Sequence, residues 1–195
     1  MVKIIQHTIN EEVLDKVMNL FWEKGYLRTS IDDIVKCTGL NKNAIYNNFD
    51  GKDGLYASML DRYLCKIMPQ LTEPLNSIEC NPILSIQNFI KQFSKKMSLP
   101  INKHGCFLVL AATEAHSKES KINKVVETFF TKLNKIIFNL LSKLKNKIDY
   151  KKTTNFIIGN IFGLMTLFRS GVSKKIINDH IKGLVDYLDS LKKFS

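Results

Sequence analysis

Three short amphipathic stretches, separated by glycines at positions 25 and 39, constrain the fold of this chain more than any other feature. The first lies between Asn10, which can cap a helix, and Gly25, which suits the left-handed position that follows one. Its apolar residues recur at helical spacing: Val13, Val17, Leu20 and Phe21. The pattern predicts a helix between Asn10 and Gly25.

The second and third stretches predict two helices joined by a tight turn. Ser30 and Asp33 form a capping pattern where the second begins, and Asn41 can cap the third. Gly39 lies in the turn between them, where one backbone position is expected to need a positive φ. Two short helices joined in this way form a helix-turn-helix. The residues expected to face inward are Ile31, Ile34, Val35, Ile45 and Phe49.

The third stretch, "LNKNAIYNNFDGK", is unusual because its free face is rich in asparagine. Its inward edge is apolar, so four other residues point elsewhere: Lys42, Asn43, Tyr46 and Asn47. Asparagine can pair with an adenine edge, and lysine can donate to guanine or to phosphate. The face is therefore suited to DNA, although a solvated surface helix, with Tyr46 covering a small core, would also explain it.

The rest of the chain predicts further helices. The fourth is expected from Lys52 to Met68, ending before Pro69, and "TEPLNSIECNP" is expected to be a loop. Later helices are predicted from Asn81 to Ser98, within "HGCFLVLAATEAH", and over residues 118–147, 151–171 and 174–193. With nine Gly and four Pro in 195 residues, the sequence predicts an all-α protein.

The composition is that of a soluble globular protein. No run approaches the ~20 apolar residues of a membrane span, and we expect no signal peptide. The four cysteines form no CxxC pair, so reduced thiols in a cytoplasmic protein are expected. The net charge of +11 does not itself indicate a nucleic-acid partner, because residues 1–60 carry seven basic and eight acidic side chains.

Residues 13–60 follow a recognisable order of motifs: an aromatic-Gly-Tyr end to the first helix, Thr-Ser before the second, a Gly-Leu turn, an apolar-Tyr-x-x-Phe helix and a lysine that opens the fourth. The matching residues are Phe21, Gly25, Tyr26, Thr29, Ser30, Gly39, Leu40, Ile45, Tyr46, Phe49 and Lys52. In this quarter of the chain the sequence resembles the DNA-binding domain of the TetR family of transcriptional repressors.

The resemblance implies a role for each matching residue at DNA. Tyr46, Lys52 and either Thr29 or Ser30 are expected to contact phosphates, and Asn48 the backbone. The residues expected to reach base edges are Lys42, Asn43 and Asn47, while Ala44 leaves room for close approach and could touch a thymine methyl. Asn43, Asn47 and Asn48 depart from the residues usual in the family, so an operator sequence does not transfer.

The resemblance also implies an N-terminal helix-turn-helix domain over residues 1–51 and a larger helical domain over residues 52–195 for effector binding and dimerisation. Family members form homodimers through a four-helix bundle of their last two long helices. The contacts expected here are Gly159, Phe162, Gly163, Leu167, Ile177, Ile181, Leu184, Val185 and Leu188. The predicted helix around Phe156 to Phe168 is apolar on nearly all sides, which fits an interface but also a monomer's central helix.

A small-molecule effector, apolar or aromatic, is implied for the C-terminal domain. The residues that could line its pocket, although each could equally be core, are Phe89, Phe93, Cys106, Phe107, Leu110, Phe129, Phe130, Phe162 and Met165. A Gly-Cys pair at the start of the helix within "HGCFLVLAATEAH" occurs in a subset of the family. Cys106 is therefore a candidate redox or electrophile sensor, and the alternative is a buried structural thiol. His104 and Cys106 alone make no metal site, and no cofactor is expected.

The sequence thus predicts a sequence-specific transcriptional regulator with operator DNA and an effector as partners: a homodimeric repressor that the effector releases. The alternative is a helical protein that binds or sequesters small molecules and keeps a relic DNA-binding domain. An all-α enzyme is not expected, because no nucleophile–base constellation, phosphate loop or metal cluster is present in the sequence.

Overall fold

A computed structural model of the chain describes residues 9–76, 81–99, 102, 104–114, 120–144 and 148–194. These residues form helices and turns and contain no β-strand, so the predicted all-α class is confirmed. None of the helices among these residues is both long and apolar enough to cross a membrane.

The first three helices, α1 (Glu11–Lys24), α2 (Ile31–Thr38) and α3 (Lys42–Phe49), form where the sequence predicts them. Each begins at its predicted cap, because short polar side chains there accept hydrogen bonds from backbone N–H groups that the helix leaves unpaired. Asn10 accepts from Glu12, Ser30 and Asp33 form a reciprocal capping box, and Asn41 accepts from Ala44 at 2.7 Å.

Both glycines between these helices have positive φ. Gly39 lies in the left-handed region (φ 74°, ψ 2°), as predicted. Gly25 also has positive φ (83°), but its ψ of 175° is extended, so the predicted left-handed helical geometry is wrong there. The chain leaves α1 in an extended direction instead of curling back over its last turn.

The core beside α1 is wider than the predicted apolar stripe. Leu14, Met18 and Trp22 are buried together with the predicted Val17 and Phe21. A second apolar face is needed because α1 also packs against the fourth helix, where its two aromatic residues make edge-on ring contacts. The ring centroids of Phe21 and Tyr56 are 4.8 Å apart, and those of Trp22 and Tyr63 are 5.1 Å apart.

The fourth helix, α4 (Gly51–Asn76), is longer than predicted and continues through Pro69 and Pro74. A proline inside a helix removes a hydrogen bond to the carbonyl four residues earlier and costs about 3 kcal/mol. Lys96 offsets part of this cost, because its Nζ donates to the Gln70 carbonyl (3.3 Å) that Pro74 cannot reach. Leu75, which follows, is buried. The predicted helix end at Met68 and the loop from Thr72 are therefore wrong, and residues 77–80 of that loop lie outside the described residues.

The remaining helices are α5 (Pro82–Met97), α6 (Phe107–Thr113), α7 (Lys121–Leu141), α8 (Tyr150–Ser170) and α9 (Lys174–Ser190). Short 3₁₀ turns follow α7 and α9, at Ser142–Leu144 and Leu191–Phe194. α6 is shorter than the quoted stretch, and the predicted limits of α7, residues 118 and 147, lie outside the described residues.

The chain divides into two compact units. The first comprises Met1–Lys66 and Leu110–Glu127, and the second comprises Ile67–Val109 and Thr128–Ser195. The first unit thus includes a stretch, residues 110–127, that lies far along the sequence from the helix-turn-helix. In the second unit, Gln87 on α5 donates from its side-chain amide to Asp189 at 2.9 Å. The predicted domain boundary after residue 51 stays a prediction.

Candidate nucleic-acid interface

The third helix presents a polar face to solvent because its apolar residues face inward. Ile45 is completely buried, and Phe49 is half-buried. Lys42, Asn43 and Asn47 are exposed, and Tyr46 is 58% exposed, so the tyrosine does not serve to cover the core. The residues that the sequence assigned to base edges therefore share one accessible surface with Tyr46.

The end of α3 is held against the start of α4 by backbone geometry that requires glycine. A Cβ at Gly54 would overlap the carbonyl oxygen of Phe49, so only glycine lets the two helices approach this closely. Asp50, which ends α3, and Gly51, the first residue of α4, both have positive φ (60° and 83°). This corner fixes the direction in which α3 projects.

Lys52 is bound to the turn that precedes α2. Its Nζ donates to the carbonyl oxygens of Tyr26 (3.1 Å) and Thr29 (3.0 Å), and lies 4.1 Å from the centroid of the Tyr26 ring. An ammonium group has three N–H donors, and these carbonyls take two of them. Lys52 thus joins α4 to the turn, and a phosphate contact would use its remaining donor.

Tyr26 also joins α4 to the turn, a role that the sequence motif does not predict. Its hydroxyl donates to the Asp53 carboxylate. Burial, followed by the hydrogen bond to Asp53, raises the pKa of Tyr26 to about 12, so the phenol is neutral at physiological pH. In the sequence, the one hint of the contact between Tyr26 and Asp53 is that Asp53 directly follows Lys52 at the start of the fourth helix.

Of the two candidates before α2, only Ser30 has its side chain on the surface. Thr29 is 1% exposed, and its hydroxyl donates to the Gly25 carbonyl at 2.6 Å. Ser30 is exposed, and its hydroxyl caps α2 through Asp33. The Ser30 hydrogen bonds hold the pKa of the Asp33 carboxyl below its usual value, so the cap is charged at neutral pH.

Three further predicted DNA-binding residues have partners in their own surroundings. Lys42 forms an exposed ion pair with Asp32 at 2.7 Å, which raises the pKa of the lysine. The Asn48 amide donates to the Ala44 carbonyl at 2.8 Å, and both residues are half-buried. An exposed pair is weak and exchanges readily for a phosphate, whereas Asn48 is held along its own helix.

The residues assigned to an effector pocket are buried or half-buried, and all except Leu110 belong to the second unit. Neighbouring rings make edge-on contacts: Phe129 with Phe130, and Phe130 with Phe162, each at 5.5 Å between centroids. Cys106 is completely buried, which places its thiol out of reach of a dissolved electrophile in this conformation. The pocket assignment and the sensor role stay predictions.

A cavity of about 730 Å³ lies in the first unit, beside the end of α3. Its wall includes Leu14, Asn47, Phe49, Val125 and Lys121, and none of the nine predicted effector residues. The wall carries equal numbers of acidic and basic side chains, and one pair of them, Asp50 and Lys121, forms an ion pair at 2.8 Å.

The residues assigned to a dimer contact fall into two groups. Gly159 is exposed, and five others are half-buried: Phe162, Gly163, Leu167, Ile181 and Val185. Ile177, Leu184 and Leu188 are buried within their own unit. These three side chains are already covered in one protomer, because they face the helices beside α9 and not the solvent.

No group of three or more His, Cys, Asp or Glu side chains that could hold a metal ion occurs in the part of the chain that the structure describes.

Part of the chain is similar to a known family of regulatory proteins. Residues 13–59 match the family model for bacterial regulatory proteins of the tetR family. Over 99 residues the chain is 29% identical to the HTH-type transcriptional repressor ComR of Escherichia coli (strain K12), covering 51% of this chain and 47% of ComR. The chain therefore spans about half the length of that relative.

Two other curated relatives differ in how much they share. An uncharacterized HTH-type transcriptional regulator in the lacX 3' region of Lactococcus lactis is 24% identical over 161 residues, 82% of each chain. The negative regulator IcaR of the biofilm operon icaADBC in Staphylococcus aureus (strain Newman) is 38% identical over 48 residues, 25% of this chain and 26% of IcaR.

Solved structures share the fold over nearly the whole chain. SCO4454, a TetR-family transcriptional regulator from Streptomyces coelicolor, superposes with a TM-score of 0.80 at 17% identity, covering 92% of this chain and 88% of its own. A cysteine mutant of the TetR-family regulator CifR, complexed with 26-bp operator DNA, gives 0.79 at 15% identity, with coverages of 91% and 95%. At these identities the likeness shows the fold alone.

Proposed function

Because residues 13–59 of this chain match the family model for bacterial regulatory proteins of the tetR family, we propose that the protein is a ligand-responsive transcriptional regulator: a homodimeric repressor that binds operator DNA and that a small-molecule effector releases. Its relatives are transcriptional regulators: by name, ComR is a repressor and IcaR is a negative regulator. A regulator of this kind carries out no chemical reaction of its own.

The observation that carries the proposal is the exposed polar face of α3 above a completely buried Ile45. Lys42, Asn43 and Asn47 can donate to and accept from base edges in a major groove, which admits a helix of this kind. Tyr46 is 58% exposed on the same helix, and a phenol hydroxyl can donate to a phosphate. A face that served only solubility would not need so exposed an aromatic ring.

Backbone contacts would come from the two ends of the domain. Ser30 lies at the N-terminus of α2, where helix N–H groups favour an anion. Lys52 lies at the start of α4, on the far side of the recognition helix in sequence. Phosphate contacts on both sides of α3 would fix its depth and direction in the groove.

A homodimer is needed because two recognition helices must enter successive major grooves, about 34 Å apart. Exposed apolar side chains on the outer surface of α8 and α9 support a homodimer. Phe156 (51%) and Ile176 (49%) are exposed there, beside the exposed Gly159 and Gly183. The Phe156 ring packs on Tyr187, with 4.7 Å between centroids. Large exposed apolar side chains next to glycines suit a close helix–helix contact with a second protomer.

The effector is proposed to be apolar or aromatic and to enter among the aromatic residues of the second unit. Phe129, Phe130 and Phe162 are the half-buried members, and so the ones a ligand could reach first. Binding would favour a conformation whose two recognition helices no longer match the operator, which requires a coupling free energy of ~1–3 kcal/mol.

The test is an equilibrium titration of the full-length protein with labelled duplex DNA, followed by fluorescence anisotropy at several salt concentrations. The proposal predicts that the logarithm of the binding constant falls linearly with the logarithm of the salt concentration, with a slope of about −0.9 for each phosphate contacted. A matched control is Lys152→Ala, which removes an exposed lysine on α8 and should not change the slope. A slope near zero for the unaltered protein would refute DNA binding and leave a helical small-molecule-binding protein.

A further inference from the structure

The turn between α1 and α2 is held by a carboxylate from a distant part of the chain. Glu114 Oε2 accepts hydrogen bonds from the backbone N–H of Tyr26 (2.8 Å) and the hydroxyl of Tyr56 (3.1 Å), and its Oε1 accepts from the backbone N–H of Leu27 (3.2 Å). One side chain thus binds two successive backbone donors of the turn. Hydrogen bonds to an ionised acceptor are the strong ones in proteins.

The turn is shaped to admit this carboxylate. A Cβ at Gly25 would overlap Glu114 Oε1, and Gly25 also has a φ of +83°, which disfavours any other residue. Gly25 therefore serves two purposes, one in ending α1 and one in leaving space for Glu114. The sequence motif records only the first.

Glu114 occupies a position that its own helix disfavours. It follows α6 (Phe107–Thr113) directly, and its N–H donates to the Leu110 carbonyl, so it lies at the negative end of the helix dipole. A carboxylate there gains nothing from α6. Its favourable interactions come from the turn and from Tyr56, all within the first unit.

The same turn holds the residues that face DNA in the proposed function. The carbonyls of Tyr26 and Thr29 accept from Lys52, and α2 begins immediately after the turn. N–H groups on one side of the turn therefore bind Glu114, while carbonyl groups on the other side bind the lysine. A shift of the turn would displace Lys52 and the start of α2 together.

We propose that Glu114 is a positioning residue for DNA binding: by holding the N–H groups of Tyr26 and Leu27, its carboxylate sets the turn that places Lys52 and α2 against the operator. This inference rests on the proposed function but names a residue outside the helix-turn-helix. Glu114 does not touch DNA. It acts through the backbone of the turn, and its loss reduces affinity by displacing Lys52 and the start of α2.

The test compares Glu114→Ala and Glu114→Gln with the unaltered full-length protein. Glu127→Ala is the matched control, since it removes an exposed glutamate from the same 110–127 stretch. Two quantities are measured: hydrogen exchange of the Tyr26 and Leu27 amides by NMR without DNA, and affinity for the duplex selected by the unaltered protein, at several salt concentrations.

Glu114→Ala should raise exchange at both amides and lower operator affinity by roughly tenfold or more, with a less steep salt dependence because the displaced Lys52 and Ser30 contact phosphate less well. Glu114→Gln keeps one acceptor oxygen of two and should lie between Ala and Glu in both measurements. Glu127→Ala should change neither quantity.

Unchanged exchange at Tyr26 and Leu27 in both Glu114 variants would overturn the inference. So would faster exchange with unchanged operator affinity, since Glu114 would then hold the turn without affecting DNA. If the unaltered protein selects no duplex at all, the proposed function fails, and the exchange measurement still decides whether Glu114 holds the turn.

Discussion

At the scale of single residues, the side chains expected to contact DNA are also parts of the fold to differing degrees. Lys42, Asn43, Tyr46 and Asn47 lie on the surface, whereas Lys52 is tied to the carbonyls of the turn before α2. Substituting the first group should therefore alter binding alone. Substituting Lys52 should alter both binding and stability.

Lys52→Ala is expected to weaken binding to every duplex sequence. Loss of one phosphate contact reduces the steepness of the salt dependence by about 0.9. Loss of the hydrogen bonds to two carbonyls should also lower the free energy of unfolding by ~1–2 kcal/mol, discounted for partial exposure. Salt titration and chemical denaturation measure the two effects, with Lys152→Ala as control. A normal salt slope in a folded Lys52→Ala protein would show that this lysine is purely structural.

Lys42→Ala and Asn47→Ala should instead relax preference at particular base pairs. Each good bidentate contact contributes about 1–3 kcal/mol of discrimination against the wrong base. The measurement is competition between the selected duplex and its single-base variants, and Lys36→Ala, an exposed lysine on α2, is the control. If both substitutions reduced affinity equally for all the duplexes, assignment of base contacts to α3 would be wrong.

At the scale of secondary-structure elements, the direction of α3 depends on its corner with α4. Gly54→Ala would place a methyl group on the Phe49 carbonyl oxygen, and relief requires one helix to move. We expect a loss of stability of about 1–3 kcal/mol or more, with a parallel loss of DNA affinity. Denaturant unfolding and duplex titration measure these losses.

Gly39→Ala is the matched control for that corner. Its Cβ would meet nothing within 4 Å, so only the positive φ opposes it and the cost should be about 1 kcal/mol. A Gly54→Ala protein that loses no more stability than Gly39→Ala would show that the close approach of α3 to α4 does not require glycine at position 54, where φ is not positive.

Elements with local signals were predictable from sequence, and those with distant partners were not. Asn10, Ser30 and Asn41 cap helices through residues two or three positions away, so the sequence shows both partners together. The passage of α4 through Pro74 depends on Lys96, which replaces the missing N–H from another helix. The periodicity of the α4 sequence could not reveal a hydrogen-bond donor that comes from another helix.

The candidate site divides in the same way. Exposure of Lys42, Asn43 and Asn47 follows from burial of Ile45 within one short helix, so the sequence predicted that face. The role of Glu114 depends on the fold bringing residue 114 beside residues 26 and 27. Likewise, helical spacing places Leu184 and Leu188 on one apolar face, but it does not show whether that face packs in the core of one protomer or against a second protomer.

At the scale of the whole molecule, the proposed dimer should depend on the outer surface of α8 and α9. Phe156→Glu places a charge where an apolar contact is expected, and we predict a shift from dimer to monomer in sedimentation equilibrium together with weaker operator binding. Phe138→Glu is the control, because Phe138 is a similarly exposed phenylalanine (39%) on α7. A dimer unaffected by Phe156→Glu, or lost equally in both variants, would place the interface elsewhere.

Selection of binding sites from random duplex DNA by the full-length protein tests most directly whether a pair of α3 helices binds a specific operator. We expect an enriched near-palindrome whose half-sites lie about one helical turn apart. Selection with Asn47→Ala should return the same spacing with one position in each half-site relaxed. Recovery of no common sequence by the unaltered protein would mean that the exposed face of α3 has no sequence preference, and that the protein is not an operator-specific regulator.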